Sequence, residues 1–266
     1  MIEKMKKIKT QTIVLAVLLA TSIIGCKSNT EMVAQKEEPM VQHLADAQVE
    51  YLRLDSTLSY SATIDEIIAP YRAEMQKEMD VVINQLDEDL TKRRPNSNLG
   101  NWFCDLMLDA GNELFNIDAA FAAQNYGGLR VPSISKGPIT RGKIFELMPF
   151  DNTLLYLELD ADLTERLINQ IAKYGGWPIS RNLSFTIQDT VATDILIKGK
   201  QLDPEETYLV LLPDYIANGG DDCHFLGAAK RTDSGIFIRQ IIIDHLETMS
   251  AQSIPNTVDS TPRIKK

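Results

Sequence analysis

Helical periodicity is the clearest pattern along the middle of the chain. In Leu99–Leu114, apolar residues recur at three- and four-residue spacing through Phe103, Leu106, Met107 and Ala110. This spacing is typical of a helix with one buried face. Further helices are predicted at Arg141–Leu147, Asp162–Tyr174 and Ile236–Met249.

Another helix is predicted to begin where Thr63-x-x-Glu66 has the form of a capping box. Pro70 lies beyond its first turn and is a candidate position for a kink. The apolar residues of this helix are Ile64, Ile67, Ile68, Tyr71, Met75 and Met79.

Alternating or continuous apolar runs predict the strands. These are Val49–Ser59, Ala119–Ala123, Thr153–Leu159, Leu183–Ile187, Asp194–Ile197 and Tyr208–Leu212. Residues 81–90 are ambiguous. Because helices and strands mix without strict β-α-β alternation, we expect an α+β (mixed α/β) fold with mixed β-sheets flanked by helices. No repeat or Pro/Gly/Ser-rich linker divides the chain, so residues 46–251 are predicted to form one domain.

The N-terminus has the pattern of a bacterial lipoprotein signal peptide. Four lysines precede the uncharged run Thr10–Gly25, whose apolar core would span roughly 20 Å as a helix, too short for a bilayer of about 30 Å. The run ends in Ile23-Ile24-Gly25-Cys26, which resembles a lipobox. We therefore predict a signal peptide over residues 1–25, a lipidated Cys26 anchored in the bacterial cell envelope, on its periplasmic or outer-membrane face, and a flexible tether over 26–45. The alternative is an ordinary signal peptide followed by a chance cysteine.

Composition narrows the classes of function. The 266 residues include 27 Lys and Arg against 37 Asp and Glu, for a net charge of −10. Loss of residues 1–25, with four Lys and one Glu, would make it −13. This balance disfavours a broad surface for binding nucleic acid polymers.

Apart from Cys26, the cysteines are Cys104 and Cys223, and their spacing leaves open whether they pair. Residues 252–266 contain two prolines and are predicted to form a loose tail.

Four predicted loops contain side chains suited to an anionic ligand. They are Arg93–Asn101, Asn125–Arg130, Met148–Asn152 and Pro213–Asp222. Together they supply arginines for phosphate or carboxylate, aromatic rings for stacking on a base, an amide, and a carboxylate for sugar hydroxyls. This inventory suits a nucleotide, although each loop taken alone is explained by turn formation or capping.

The order of these motifs resembles a known family. Asn-x-Gly-Gly-Leu-Arg at 125–130, Pro-Phe-x-Asn at 149–152 and Asn-Gly-Gly-Asp at 218–221 are similar to the C-terminal substrate-binding domain of the 5′-nucleotidase/UDP-sugar hydrolase family. Asn-Leu-Gly-Asn at 98–101, followed by Asp105, fits the start of that domain. The resemblance covers roughly residues 49–250.

The resemblance implies roles for individual residues. Phe150 and Tyr215 would sandwich the base, Asp221 would bind the ribose, and Asn125 and Arg130 would contact the ligand. The upstream arginine would be Arg93, with Arg94 as its rival. The full set of implied binding residues is Arg93, Arg94, Asn125, Gly128, Arg130, Phe150, Asn152, Tyr215, Gly220 and Asp221.

This sequence departs from the family's pattern in two ways. The family usually continues Gly-Gly-Asp-Gly-aromatic, whereas Asp222-Cys223-His224 follows here, which puts the sugar contact in doubt. Family enzymes also have a metallophosphoesterase domain rich in His and carboxylate ligands. This sequence has three His in all, so no catalytic residue, metal or other cofactor is assigned to it.

The resemblance therefore favours the nucleotide-binding subunit of a split phosphohydrolase. A separate metallophosphoesterase-domain protein would supply the divalent metals, and this chain by itself would be inactive. The alternative is a nucleoside-binding or structural envelope lipoprotein with no catalytic partner.

Overall fold

A computed structural model describes residues 61–266 of the chain. The predicted signal peptide, Cys26, the tether and the strand predicted at Val49–Ser59 lie outside the described residues. None of the helices within 61–266 is long and apolar enough to cross a bilayer.

The described residues form α-helices at all five predicted places. The α-helices are Ala62–Met79 (α1), Asn98–Phe115 (α2), Arg141–Leu147 (α3), Ala161–Lys173 (α4), Asp214–Ala217 (α5) and Ile238–Ala251 (α6). Local chemistry sets the bounds of α2. The Ser97 hydroxyl accepts a hydrogen bond from the Gly100 amide at 2.8 Å, and Asn116 ends the helix in the left-handed conformation.

The strands are mostly short. They are Val82–Leu86 (β1), Leu90–Thr91 (β2), Phe121–Ala122 (β3), Ser133–Ile134 (β4), Gly137–Thr140 (β5), Thr153–Leu159 (β6), Leu183–Gln188 (β7), Val191–Ile197 (β8), Lys200–Gln201 (β9), Tyr208–Pro213 (β10), Lys230–Phe237 (β11) and Ile264–Lys265 (β12). The central sheet has the order β11-β6-β10-β3, with β3 parallel to β10 and the other pairs antiparallel. A second sheet has the order β12-β7-β8-β9, and two ribbons pair β1 with β5 and β2 with β4. The expected mixed α/β fold is thus confirmed.

The two middle strands of the central sheet, β6 and β10, are buried on both faces. Leu154 and Leu211 belong to the apolar cluster formed with α2 and α6, whereas Leu155, Leu157 and Val210 belong to the cluster formed with α4 and the second sheet. Because successive side chains of a strand point to opposite faces, β6 and β10 contribute to both clusters. This double burial explains why both strands are almost continuously apolar.

The first helix differs from its prediction in two respects. Its N-cap is Ser61, whose hydroxyl accepts from the Ile64 amide at 3.4 Å, so the predicted Thr63/Glu66 capping box is wrong. The helix runs on through Pro70 to Met79. None of its residues is buried, and Tyr71 is 72% exposed. Amphipathic spacing identified an apolar face, but it does not determine whether that face is covered.

The predicted loose tail is also wrong, because the end of the chain is docked on the domain. Strand β12 pairs in parallel with β7, with Ile264 opposite Phe185. The Asn96 side chain accepts from the Arg263 and Ile264 amides, and the Asn101 side chain donates to two carbonyls of residues 259–261. These asparagines belong to the first of the four predicted ligand loops. Their side chains hold the C-terminal segment instead.

A buried ion pair completes this docking. Arg263 is 4% exposed, and its two terminal nitrogens donate to the two carboxylate oxygens of Asp105 on α2 at 2.9 and 2.6 Å. It also donates to the Ile179 carbonyl at 2.7 Å and to Asp259 at 3.0 Å. Arg263 therefore joins the C-terminus to α2 and to the segment that follows α4.

We expect Arg263→Ala to lower the free energy of unfolding by about 3–5 kcal/mol, because Asp105 would remain largely buried without its partner. Urea denaturation followed by tryptophan fluorescence measures the change. The matched control is Arg166→Ala, whose side chain is 52% exposed and pairs with Asp162. That variant should lose no more than about 1 kcal/mol. Equal losses in the two variants would contradict the structural role assigned to the C-terminus.

Candidate functional site

Three loops that meet beside the central sheet enclose a cavity of about 390 Å³. They follow β3, α3 and β10. The lining residues are Asn125, Gly127, Gly128, Arg130, Phe150, Asn152, Tyr215 and Asp221. Seven of the ten predicted binding residues are thus brought together, although they are spread over nearly 100 positions of sequence.

The Asp221 carboxylate is the centre of a hydrogen-bond network. One oxygen accepts from the Asn125 side-chain amide at 2.8 Å, and the other accepts from the Tyr215 hydroxyl at 3.2 Å. The Gln124 amide in turn donates to the Asn125 side-chain oxygen at 2.9 Å. Burial, followed by the negative charge of Asp221, raises the pKa of the Tyr215 hydroxyl, so Tyr215 stays protonated as a donor at neutral pH.

The loop that carries Asp221 has an unusual backbone. Asp221 and Asp222 both have positive φ, at 48° and 62°, and Gly219 has φ 100°. Helix α4 and its C-terminal end support this loop, because Gln170 donates to the Asp221 carbonyl at 2.7 Å and Tyr174 donates to the Asp222 carboxylate at 3.0 Å. The second aspartate is therefore accommodated where the family usually has glycine. Asp222 is not among the lining residues of the cavity.

Two aromatic side chains in the cavity wall are accessible to a ligand. Phe150 is 41% exposed and Tyr215 is 45% exposed. The Arg130 guanidinium lies 5.6 Å from the centre of the Phe150 ring. Gly220 does not line the cavity, but a Cβ there would lie 2.5 Å from the Tyr215 ring, so glycine is required for the observed position of Tyr215.

The two upstream arginines lie outside the cavity wall. Arg93 is exposed, and the Arg94 guanidinium stacks at 3.9 Å from the centre of the Tyr126 ring. Lys92 lies 4.1 Å from the same centre and donates to the Leu129 carbonyl at 2.5 Å. These cations therefore flank the Asn125–Arg130 loop from outside. Desolvation, with smaller contributions from the positive charges of Arg130 and Arg94, lowers the pKa of Lys92.

Sequence reasoning missed Gln124, Gln170 and Lys92, which support the site. Gln124 is fully buried and adjoins Asn125, but no spacing or motif distinguishes it from an ordinary core position. Gln170 lies on the buried face of α4, where a polar residue in a mostly apolar stripe was the one available signal.

The described residues do not fit a catalytic metal. No group of three or more His, Cys, Asp or Glu side chains within 61–266 could hold an ion. Cys104 and Cys223 are buried and unpaired. Burial, reinforced by the charges of Asp221 and Asp222, raises the pKa of the Cys223 thiol to about 12, so it is not a nucleophile near neutral pH. No metal-dependent or thiol-dependent step is assigned to these residues.

Comparison with known proteins agrees with the fold and the motif order. The family model for the 5′-nucleotidase C-terminal domain matches residues 79–228, more than half of the chain. A 5′-nucleotidase of Vibrio vulnificus is 26% identical over 215 residues, which cover 77% of this chain and 38% of that protein. Protein UshA of Escherichia coli is 26% identical over 164 residues, which cover 58% of this chain and 28% of the relative.

A solved structure shows the same likeness. The 5′-nucleotidase precursor from Thermus thermophilus, known from a crystal structure, is 29% identical to this chain with a TM-score of 0.64, and the match covers 76% of this chain and 43% of that one. The chain therefore spans less than half the length of each of these proteins.

The two neighbouring glycines of the cavity wall provide a test of this geometry. A Cβ at Gly128 would lie 1.8 Å from the Gln124 amide nitrogen and 2.7 Å from the Asn125 side-chain oxygen. We expect Gly128→Ala to lower the free energy of unfolding by about 1–3 kcal/mol, because it overpacks this network. Thermal and urea unfolding measure the effect.

Gly127→Ala is the matched control. A Cβ there would have its nearest neighbour at 3.8 Å, an ordinary contact, and its unfolding free energy should change by no more than about 0.5 kcal/mol. A Gly128→Ala variant as stable as Gly127→Ala would show that the Gln124–Asn125–Asp221 network is not packed as described.

Proposed function

The chain belongs to the 5′-nucleotidase C-terminal domain family, and on that premise we propose that its cavity binds a nucleotide. The observation that supports this most directly is the convergence of two accessible aromatic rings, a hydrogen-bonded carboxylate and an arginine on one cavity. In this proposal, the rings of Phe150 and Tyr215 contact the base, and Asp221 accepts hydrogen bonds from the sugar hydroxyls.

The phosphate end of the nucleotide would be bound by the cationic side chains around the Asn125–Arg130 loop. Arg130 lines the cavity, and Lys92, Arg93 and Arg94 lie in the adjoining segment. Among the described residues, none of these four cations forms an ion pair with a carboxylate. In a chain with a net charge of −10, three cations without a carboxylate partner in the described part of the chain lie on or against the Asn125–Arg130 loop, namely Lys92, Arg94 and Arg130, and they favour an anionic ligand.

We further propose that the chain is the nucleotide-binding subunit of a two-protein phosphohydrolase in the bacterial cell envelope, anchored through a lipid on Cys26. A separate metallophosphoesterase would carry the divalent metals and the attacking water. This chain would contribute positioning, because holding the base and sugar places the phosphate against the partner's metals.

Nucleotide binding is testable by isothermal titration calorimetry with AMP, adenosine and a UDP-sugar. Stacking of a base on an aromatic ring contributes about 1–3 kcal/mol, so Phe150→Ala and Tyr215→Ala should each raise the Kd for AMP by about 5- to 150-fold. The control is Tyr71→Ala, which removes a ring that is 72% exposed on α1 and does not line the cavity.

Two results would contradict the binding proposal. One is that the unaltered chain binds none of these ligands, which would favour a structural envelope lipoprotein. The other is that both cavity variants bind AMP as tightly as the control does. Binding with no catalytic partner in the same organism would instead favour a nucleoside-binding lipoprotein.

The two-protein arrangement predicts that the purified chain releases no phosphate from AMP in the presence of divalent metal. Activity should follow addition of a metallophosphoesterase from the same organism that carries Asp-x-His and Gly-Asn-His-[Asp/Glu] motifs.

Arg130→Ala should lower kcat/KM of the mixture by about 10- to 150-fold, because a hydrogen bond to a charged group contributes about 1.5–3 kcal/mol. Arg166→Ala, on the exposed side of α4, is the control. Phosphate release by the chain alone that persists in Arg130→Ala would refute the arrangement.

A further inference from the structure

Arg239, in the first turn of α6, joins that helix to the loop that carries Phe150. Its side chain is 13% exposed. One terminal nitrogen donates to the Phe150 carbonyl at 2.7 Å, and the other donates to the Asp151 carboxylate at 2.5 Å. The guanidinium carbon lies 5.0 Å from the centre of the Phe145 ring and 4.7 Å from that of Phe237. A planar group with several donors can make all four contacts together, whereas a lysine cannot.

The loop between α3 and β6 depends on these contacts. In the part of the chain that the structure describes, Arg239 supplies every hydrogen bond made by Phe150 and Asp151. The next hydrogen bonds along the chain are those of the Met148 amide and the Asn152 carbonyl. The backbone of Phe150 is thus held at its carbonyl by one side chain.

Arg239 occupies an electrostatically unfavourable place in its helix. The first turn of a helix presents the positive end of the helix dipole, where a cation is normally disfavoured. The ion pair with Asp151 and the contacts with two aromatic rings offset this cost. Its position is therefore explained by the loop that it holds, not by the requirements of α6.

We propose that Arg239 is a positioning residue that fixes the Phe150 ring in the cavity wall and so determines how tightly the flat ring of a ligand is held. This inference rests on the proposed nucleotide binding. It assigns recognition of the base, as distinct from the sugar and phosphate, to a residue that does not line the cavity.

The test compares two ligands, AMP and ribose 5-phosphate, which has the same sugar and phosphate but no base. Arg239→Ala should raise the Kd for AMP about tenfold and leave the Kd for ribose 5-phosphate within about twofold, since only base stacking is impaired. Arg239→Lys keeps the charge but loses the two-pronged contact, so its effect should have the same sign and be smaller. Arg166→Ala should change neither Kd.

A second readout does not need a ligand. In NMR relaxation measurements, the backbone order parameters of the Phe150 and Asp151 amides should fall in Arg239→Ala, while those of residues 215–221 should stay unchanged. A merely structural loss would lower the order parameters of both regions and weaken the binding of both ligands alike, and that result would overturn the proposal. Unchanged order parameters at Phe150 and Asp151, or an unchanged Kd for AMP, would overturn it as well.

The outcomes separate this inference from the proposed function. If the unaltered chain binds AMP no better than ribose 5-phosphate, base binding itself fails, and the inference fails with it. If the unaltered chain prefers AMP and the variants retain that preference, only the inference fails. Should Arg239→Ala not fold, Arg239→Lys decides between these outcomes, because a lysine at this position keeps the positive charge.

Discussion

The buried ion pair between Arg263 and Asp105 is the interaction on which the geometry of the cavity depends. Arg263 also donates to the Ile179 carbonyl, Ile179 pairs with Ala123, and Ser180 exchanges hydrogen bonds with Ala122 at the end of β3. The residues that follow β3 are those of the ligand loop. A charge pair at the C-terminus is thus connected, through the contacts of Ile179 and Ser180 with the end of β3, to the position of Asn125. Breaking one partner of such a pair leaves a buried charge, which is why the end of the chain is part of the domain.

Hydrogen bonds within the protein hold the cavity wall in place. Both oxygens of Asp221 already accept hydrogen bonds, its carbonyl is held by Gln170, and its left-handed backbone is supported by α4. Left-handed backbone costs a residue with a Cβ atom about 1–2 kcal/mol, and these contacts offset that cost. A preformed site spends less conformational entropy on binding, so fewer contacts suffice for a given affinity. The loop that carries Phe150 is held in the same way, by hydrogen bonds from Arg239 of α6.

Charge is distributed unevenly around this rigid site. The chain is acidic as a whole, yet the Asn125–Arg130 loop is flanked by cations that have no carboxylate partners among the described residues. Mutual repulsion is part of what lowers the pKa of Lys92, and an anion placed among these cations would relieve it. A local positive field within an acidic protein favours a small anion over a long polyanion, because distant acidic surface repels the remainder of a polymer.

Local pattern was sufficient for the longer helices and for several strands, and the resemblance carried by the loop motifs identified the cavity residues. The helix at 98–115, the helix at 141–147 and the strand at 153–159 follow from the spacing of apolar residues, and the order of the loop motifs pointed to Asn125, Arg130, Phe150, Tyr215 and Asp221. Tertiary structure alone decided that Ile264 forms a strand, that Asn96 and Asn101 hold the C-terminus, and that Arg239 supports Phe150. Those contacts join residues about 80 to 170 positions apart, and a two-residue strand or a single polar side chain has no periodicity. The hydrophobic effect acts on whole faces and leaves a repeating signal in sequence, whereas a directional hydrogen bond is specified only when both partners have been placed in space.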